Sequence, residues 1–284
     1  MASSTAGTVV FILSSDRSGS TWLAYVLGST PNAAFLGEFR RAWDSQLRRR
    51  CAWCHANGRE DCEVLTGIEL YTPDRAYELT FSRTGKQFLV DSSKRIVWAA
   101  RFITPESHSK VHLIHLIRDP RGWYASERRR REAGRDELIG EWVAENLRIR
   151  DFLKSSGAPS TTVFYDELAN SPMSEFQRLC SQIGCPFEPG ALRYWEKAHH
   201  GFAANGAGSP LLRSLPNIAE LPNFISGDDP FYATNGQKSF VDQRWKEQLS
   251  EADAFAIGEG PRVAALLKLY DRVVTPDSLQ LTGV

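Results

Sequence analysis

Short apolar runs alternate along the chain with polar turns and with segments of helical period. The apolar runs predict four strands, at 9–13, 87–93, 111–118 and 161–168. Apolar positions spaced three and four residues apart predict the helices, at 20–29, 122–133, 136–156 and 172–183, the last ending at Gly184. Strands alternating with helices favour an α/β fold with a central, mainly parallel sheet between two layers of helices.

Two segments depart from this alternation. Residues 40–70 carry three of the five cysteines and are typical of an insertion. Residues 199–240 are rich in Gly, Pro, Asn and Ser, and a loop of that length is typically a lid or a disordered segment. We interpret the chain, 1–284, as one domain with a cysteine-containing insertion and a loop that contacts a second substrate.

Composition excludes several function classes. Lys plus Arg and Asp plus Glu both number 34, so no global positive field favours nucleic acid. The basic runs at 48–50 and 128–131 are more typical of solvated helix faces. The apolar run near the start has five residues, too few for a signal peptide or a membrane span. With an odd number of cysteines, the sequence predicts a cytoplasmic protein without a membrane partner; its oligomeric state is open, and a dimer is compatible with it.

The loop after the first strand, SSDRSGSTW at 14–22, has the composition of an anion site. It joins a buried strand to a helix N-terminus, where backbone N–H groups and the helix dipole favour negative charge. Gly19 allows close approach of a ligand, Arg17 adds a cation, and the hydroxyl donors are Ser18, Ser20 and Thr21. A Walker A motif needs a Gly before the loop and a Lys after it, and both are missing, which disfavours a triphosphate with magnesium.

A second anion motif follows the third strand. Arg118 lies at the carboxyl end of that strand, where open α/β sheets bind their ligands. Pro120 suits the first turn of the next helix, and Ser126 falls on that helix. The guanidinium fork of Arg118 and the hydroxyl of Ser126 could hold one anionic group together.

These motifs resemble those of a known family. SSDRSGSTW resembles the 5′-phosphosulfate loop of sulfotransferases that use 3′-phosphoadenosine 5′-phosphosulfate (PAPS), and IRDPRGWYAS resembles their 3′-phosphate motif. Tyr165-Asp166-Glu167-Leu168 resembles the Tyr-Glu-Asp-Leu element of the same fold, whose Tyr often lies near the adenine. The resemblance covers roughly residues 9–185 and implies a P-loop NTPase-like fold.

The resemblance implies transfer of a sulfuryl group from PAPS to a hydroxyl or amine of a small-molecule or carbohydrate acceptor, leaving 3′,5′-adenosine diphosphate. Arg17 and Trp22 would belong to the loop that holds the 5′ end. Lys94 would stabilise the bridging oxygen and Glu38 would be the base. His199 and His200 are the alternative bases, although a core or exposed histidine is the more common interpretation of each.

Further expectations concern the nucleotide, the need for a metal and the alternative functions. Lys238 is a candidate second contact to the 3′-phosphate. The transferred sulfuryl group is less charged than a phosphoryl group, so cations of the protein can replace magnesium and the chemistry needs no metal. The alternatives are an ATP-dependent kinase of the P-loop class and a nucleotide-binding relative without catalysis. The acceptor itself cannot be inferred from the sequence.

The insertion carries one cluster of metal-ligand type: Cys51, Cys54, His55 and Cys62. Three thiols and an imidazole could bind zinc tetrahedrally. However, adjacent Cys54 and His55 rarely bind one ion together, and a second CxxC is missing. The sequence therefore favours free thiols or a redox-labile disulfide over a structural zinc site.

Overall fold

Five parallel strands form the centre of the protein. A computed structural model describes residues 7–43, 51–104, 109–202 and 241–282. The strands are β1 (Thr8–Leu13), β2 (Ala33–Gly37), β3 (Phe88–Lys94), β4 (Lys110–Ile117) and β5 (Ser160–Phe164). They lie in the order β2-β3-β1-β4-β5, and every neighbouring pair is parallel. The predicted α/β class is confirmed.

The helices lie between and after these strands. Their bounds are α1 (Ser20–Gly28), α2 (Ala52–Ala56), α3 (Pro73–Thr84), α4 (Ile96–Ala99), α5 (Pro120–Arg128), α6 (Arg135–Ser156), α7 (Tyr165–Asn170) and α8 (Pro172–Ile183). Short helices Trp245–Gln248, Glu251–Gly258 and Pro261–Lys268 follow, and then an antiparallel strand pair, Arg272–Val274 with Leu279–Leu281. No helix within the described ranges is long and apolar enough to cross a membrane.

Both faces of the sheet are buried. Along β1, Val10 and Ile12 pack into one apolar core with α1, α7 and α8. Val9, Phe11 and Leu13 point the other way, into a second core that includes side chains of α3, α4 and α6. A strand covered on both faces reads as a continuous apolar run, which is why VVFIL was readable as a buried strand.

The structure corrects the prediction for 161–168. The strand ends at Phe164, and helix α7 starts at the next residue, Tyr165. Asp166 and Glu167 lie in the first turn of this helix, where carboxylates are favoured by the helix dipole. Several other elements were missed, among them β2, which has only five residues, and α3, which starts at Pro73 after Thr72.

The parallel register brings three strand ends to one edge of the sheet. Leu13 at the end of β1 pairs with Lys94 at the end of β3 and with His115 near the end of β4. The loop after β1, Lys94 and Arg118 therefore emerge on the same side. This is the edge at which parallel α/β sheets bind ligands.

His115 on β4 is a fully buried polar residue of the core. Its Nε2 lies 2.9 Å from Asn146 Oδ1 and its Nδ1 lies 3.3 Å from the Tyr270 hydroxyl. Burial lowers the pKa of His115 to about 4. In the unfolded chain this histidine has a pKa near 6.5. Between pH 6.5 and 4 the unfolded state therefore binds one proton that the folded state does not. The free energy of unfolding decreases as the pH falls through this range.

Substituting His115→Gln should remove the contribution of this histidine to the pH dependence of the unfolding free energy. The glutamine amide can keep the contact with Asn146. Between pH 6.5 and 4, the slope of unfolding free energy against pH should become shallower by up to about 1.4 kcal/mol per pH unit relative to the original protein. Urea titrations at several pH values measure both slopes. Equal slopes would contradict the buried neutral state of His115.

Candidate active site

The loop between β1 and α1 wraps the N-terminus of α1. Gly19 is the N-cap residue and adopts a left-handed conformation with φ of 92°. The first backbone N–H groups of a helix have no partner within it and are available to an anion. Trp123 Nε1 donates to the carbonyl of Asp16 at 2.7 Å, and the hydroxyls of Ser15 and Ser18 lie 3.0 Å apart. These contacts fix the loop conformation.

An aromatic wall lies directly on the loop. A Cβ placed on Gly19 would come within 2.5 Å of Tyr165 Cδ2, so only glycine allows this approach. The Trp22 ring meets Tyr165 edge-on at 5.8 Å between centroids. Burial raises the pKa of Tyr165 well above its usual value, so its hydroxyl stays protonated. The loop therefore combines hydrogen-bond donors with two aromatic rings.

The two anion motifs meet at this loop. Arg17 Nε donates to Ser126 Oγ at 3.0 Å. Arg118 Nη1 donates to the carbonyl of Arg17 at 2.9 Å, and the Arg118 guanidinium lies 5.0 Å from the centre of the Tyr165 ring. Residues more than a hundred positions apart in sequence are thus joined into one cationic surface. The two motifs therefore adjoin each other.

Arg118 also has an anionic protein partner. Its Nη2 donates to Asp242 Oδ2 at 3.0 Å, and Arg244 Nε donates to Asp242 Oδ1 at 2.8 Å. The Asp242 backbone N–H donates to the Tyr165 hydroxyl at 3.3 Å. Burial tends to raise the pKa of Asp242, but the hydrogen bonds and charges of Arg244 and Arg118 outweigh it and hold that pKa well below its usual range. The carboxylate stays charged and braces both guanidinium groups.

Glu38 and Lys94 form a buried ion pair at the same edge of the sheet. Lys94 Nζ donates to Glu38 Oε1, and Arg41 Nε donates to Glu38 Oε2. Lys94 Nζ is also 3.8 Å from Asp16 Oδ1, and Arg95 Nη2 is 3.3 Å from Asp16 Oδ2. Lys94 thus lies between the candidate base and the anion loop.

The turn that carries Lys94 is strained and braced. Lys94 adopts a positive φ of 65° and Arg17 one of 67°, conformations that are uncommon for side chains other than glycine. Below Lys94, the buried Asp91 accepts from the backbone N–H of Ser93 at 2.6 Å and from Trp98 Nε1 at 2.9 Å. Such backbone strain, maintained by the surrounding contacts, is typical of a functional site.

A cleft of about 150 Å³ opens between these loops. Six cationic side chains, two carboxylates and Ser93 line it. The cations are Arg17, Arg40, Arg41, Lys94, Arg95 and Arg130, and the carboxylates are Asp16 and Glu38. Arg40 Nε is buried and has no hydrogen-bond partner within the described ranges. An excess of cations with an unpaired buried donor favours an anionic ligand.

Comparison with known proteins identifies the family of this chain. The sequence model of the Sulfotransferase family matches residues 9–189, which include both anion motifs, Glu38 and Lys94. This chain belongs to the sulfotransferase family. A search of curated protein sequences found no match.

Three solved sulfotransferase structures were compared with this chain. The sulfotransferase domain from the curacin biosynthetic pathway superposes with a TM-score of 0.56 at 16% identity, covering 95% of this chain and 99% of that one. The sulfotransferase domain of the Synechococcus PCC 7002 olefin synthase gives 0.49 at 18% identity, with 89% and 94% covered. Mouse sulfotransferase SULT7A1, solved with PAP, gives 0.44 at 13%, with 93% and 89% covered. The first of these supports the fold of this sulfotransferase.

The predicted site residues fall into two adjoining groups in this sulfotransferase. Arg17, Glu38 and Lys94 line the cleft. Arg118 and Ser126 contact Arg17, as described above. The hydroxyl residues Ser18, Ser20 and Thr21 are buried in the loop. Lys238 lies outside the described residues, as does most of the predicted loop at 199–240.

The two candidate histidine bases lie outside the cleft of this sulfotransferase. His199 is buried against the stacked rings of Tyr25 and Phe35, with its Nε2 at 2.7 Å from the carbonyl of Tyr194. Burial lowers the pKa of His199 to about 4. His200 lies among cysteine side chains. Among the candidate bases, Glu38 alone lines the cleft.

Several residues of the site were not found from the sequence. The basic run at 128–131 was interpreted as a solvated face, but Arg130 lines the cleft. Arg95 could have been noticed because it follows Lys94 directly. Asp242 lies 124 positions after Arg118, and no local pattern connects the two. The residues missed are Asp16, Arg40, Arg41, Arg95, Arg130, Asp242 and Arg244.

Proposed function

We propose that this sulfotransferase moves the sulfuryl group of PAPS to a hydroxyl or amine of a small-molecule or carbohydrate acceptor. The observation that carries the proposal is the junction of Arg17, Ser126 and Arg118 beside a cleft that holds both Glu38 and Lys94. A donor with phosphate at both ends suits two joined anion motifs. The Glu38 carboxylate and the Lys94 ammonium group lie next to these motifs. They suit transfer of a sulfuryl group from the donor to an acceptor.

The nucleotide would lie across the junction. Its 5′-phosphosulfate would accept hydrogen bonds from the backbone at the start of α1 and from the Arg17 guanidinium. Its 3′-phosphate would bind beside Arg118 and Ser126. Because Arg118 also holds Asp242, the phosphate would share this guanidinium with the carboxylate. The adenine would stack near Tyr165 and Trp22, and Lys238 stays a predicted contact.

The chemistry follows from the cleft. The acceptor oxygen or nitrogen attacks the sulfur, and the bond between the sulfur and the 5′-phosphate oxygen breaks in line with it. Glu38 takes the acceptor proton as the new bond forms. Negative charge develops on the departing phosphate oxygen, where the Lys94 ammonium stabilises it. The products are the sulfated acceptor and 3′,5′-adenosine diphosphate.

The ion pair between Glu38 and Lys94 sets the order of events. In the structure, Lys94 donates to Glu38, and Arg41 holds the other carboxylate oxygen. A phosphosulfate at the loop competes for the Lys94 ammonium. As Lys94 turns toward the bridging oxygen, Glu38 Oε1 loses its donor and becomes available to the acceptor proton. The pair thus couples arrival of the donor to activation of the base.

A transfer assay tests this function. The protein is incubated with ³⁵S-labelled PAPS and a panel of phenols, sugars, hydroxylated metabolites and amines, without added magnesium. We expect label on at least one acceptor class, with 3′,5′-adenosine diphosphate released in equal amount. Transfer of the γ-phosphate of ATP to an acceptor, with none from PAPS, would contradict the proposal.

We also propose that residues 1–284 act as one domain in the cytoplasm. None of the five cysteines, all of which the structure describes, is in a disulfide, as expected in a reducing compartment. A single cooperative unfolding transition is the expected result. Two separate transitions would argue for two domains.

A further inference from the structure

Four side chains from two distant parts of the chain converge beside β2. The atoms are the Sγ of Cys51, Cys54 and Cys62 and a ring nitrogen of His200, and all lie within 4.8 Å of one another. His200 Nδ1 is 3.8 Å from Cys51 Sγ and 3.4 Å from both Cys54 Sγ and Cys62 Sγ. The three thiols are buried. The cluster is separate from the cleft.

These separations match the edges of a small tetrahedron. With metal–sulfur bonds of about 2.3 Å and a metal–nitrogen bond of about 2.0–2.1 Å, tetrahedral angles put sulfur and nitrogen about 3.6 Å apart. The three sulfur–nitrogen separations in the structure scatter around that value. A cluster containing several iron atoms would spread its ligands further, because each would bind a different iron. The geometry fits a single ion.

The surroundings of the cluster suit a metal thiolate. Arg59 Nη2 donates to Cys54 Sγ at 3.1 Å. Three thiolates and a neutral imidazole around a divalent ion carry one net negative charge, which the Arg59 guanidinium offsets. Four protein ligands also fill a tetrahedral site, leaving no position for substrate, as in structural rather than catalytic sites.

We propose that Cys51, Cys54, Cys62 and His200 bind one structural zinc ion. This set of ligands differs from the one considered from the sequence, in which His55 supplied the imidazole. The sequence alone favoured free thiols or a disulfide over zinc. The His55 side chain lies outside the described part of the structure. His200 follows Cys62 by 138 positions, so sequence spacing could not identify it.

The ion would tie the insertion to the segment that supports Glu38. Next to the ligands, the backbone N–H of Ala52 donates to the carbonyl of Gly201 at 3.0 Å. Phe202 then pairs with β2: its N–H donates to Leu36 at 2.9 Å, and its carbonyl accepts from the Glu38 N–H at 3.1 Å. Zinc would therefore hold the backbone of Glu38 in place, a positioning role that rests on the proposed function of this residue.

Metal analysis of the full-length protein, purified without chelators, tests the proposal. We expect about one zinc per chain by elemental mass spectrometry. Replacing the zinc with cobalt should give the visible absorption bands of a tetrahedral thiolate site. A folded protein with a zinc ratio near zero would overturn the proposal, as would a disulfide among the three cysteines. Iron with acid-labile sulfide would overturn the assignment of the metal.

Matched variants test the ligands. His200→Ala and Cys62→Ser should lose zinc, while His55→Ala and Cys180→Ser should keep it, since Cys180 is a buried free thiol outside the cluster. Zinc lost in His55→Ala and kept in His200→Ala would overturn the assignment of His200. If a ligand variant does not fold, the metal content and cobalt spectrum of the unmodified protein still decide the question. Both are measured without nucleotide, so a failure here is distinguishable from failure of the proposed transfer reaction.

Discussion

Replacing Glu38 with glutamine lowers kcat by about 10²–10⁴-fold, the usual contribution of a general base, while the nucleotide still binds. Glutamine keeps the size of the side chain, but its single amide oxygen can accept from only one of Lys94 and Arg41, which donate to different oxygens of Glu38. It cannot take a proton from the acceptor. Steady-state rates of sulfate transfer, with a calorimetric titration of 3′,5′-adenosine diphosphate into the same variant, separate turnover from binding.

The control for this loss is Glu175→Gln. Glu175 lies on α8 and pairs with Arg178 at the surface, outside the cleft. This variant should keep the original rate. If Glu38→Gln turned over at the original rate, the base would have to be another group. If it lost nucleotide binding and rate together, Glu38 would have a structural role instead.

Replacing Arg118 with alanine weakens binding of 3′,5′-adenosine diphosphate by about 10–100-fold, because hydrogen bonds to a charged group contribute about 1.5–3 kcal/mol. The guanidinium is buried between the loop and Tyr165, where water competes little with a bound phosphate. Its loss also frees one side of Asp242, which leaves negative charge near the phosphate. Isothermal titration calorimetry measures the change directly.

Two further variants separate the phosphate contact from a general loss of structure. Arg118→Lys keeps the charge but loses the fork, so its affinity should lie between those of the original protein and Arg118→Ala. Arg148→Ala removes an exposed arginine of α6 that pairs with Glu145, and it should bind as the original does. Unchanged affinity in a folded Arg118→Ala protein would remove Arg118 from the nucleotide site.

The sequence was sufficient where a feature of the fold or of the candidate site depends on short, local segments. The loop at 14–22 could be recognised because a strand, a glycine and several hydroxyl residues must follow one another to form it. Arg118 and Ser126 could be linked because one follows the end of β4 and the other lies on the helix that comes directly after it. The parallel sheet then explains why these separate segments meet, since the ends of β1, β3 and β4 lie at one edge.

The remaining features depend on contacts between distant segments. Asp242 contacts Arg118 from 124 positions further along the chain. His200 contacts Cys62 from 138 positions further along. Neither contact has a spacing rule, because the loops that create it have no regular period. β2 escaped prediction for a related reason: five residues ending in glycine carry too little pattern to distinguish a strand from a turn.

The central claim is that one doubly phosphorylated adenosine binds across Arg17 and Arg118. A calorimetric titration of the unmodified protein with 3′,5′-adenosine diphosphate, beside one with ATP and magnesium, tests it most directly. We expect saturable binding of the bisphosphate at one site per chain, without magnesium, and much weaker binding of ATP. Tight, magnesium-dependent binding of ATP with no heat from the bisphosphate would contradict it.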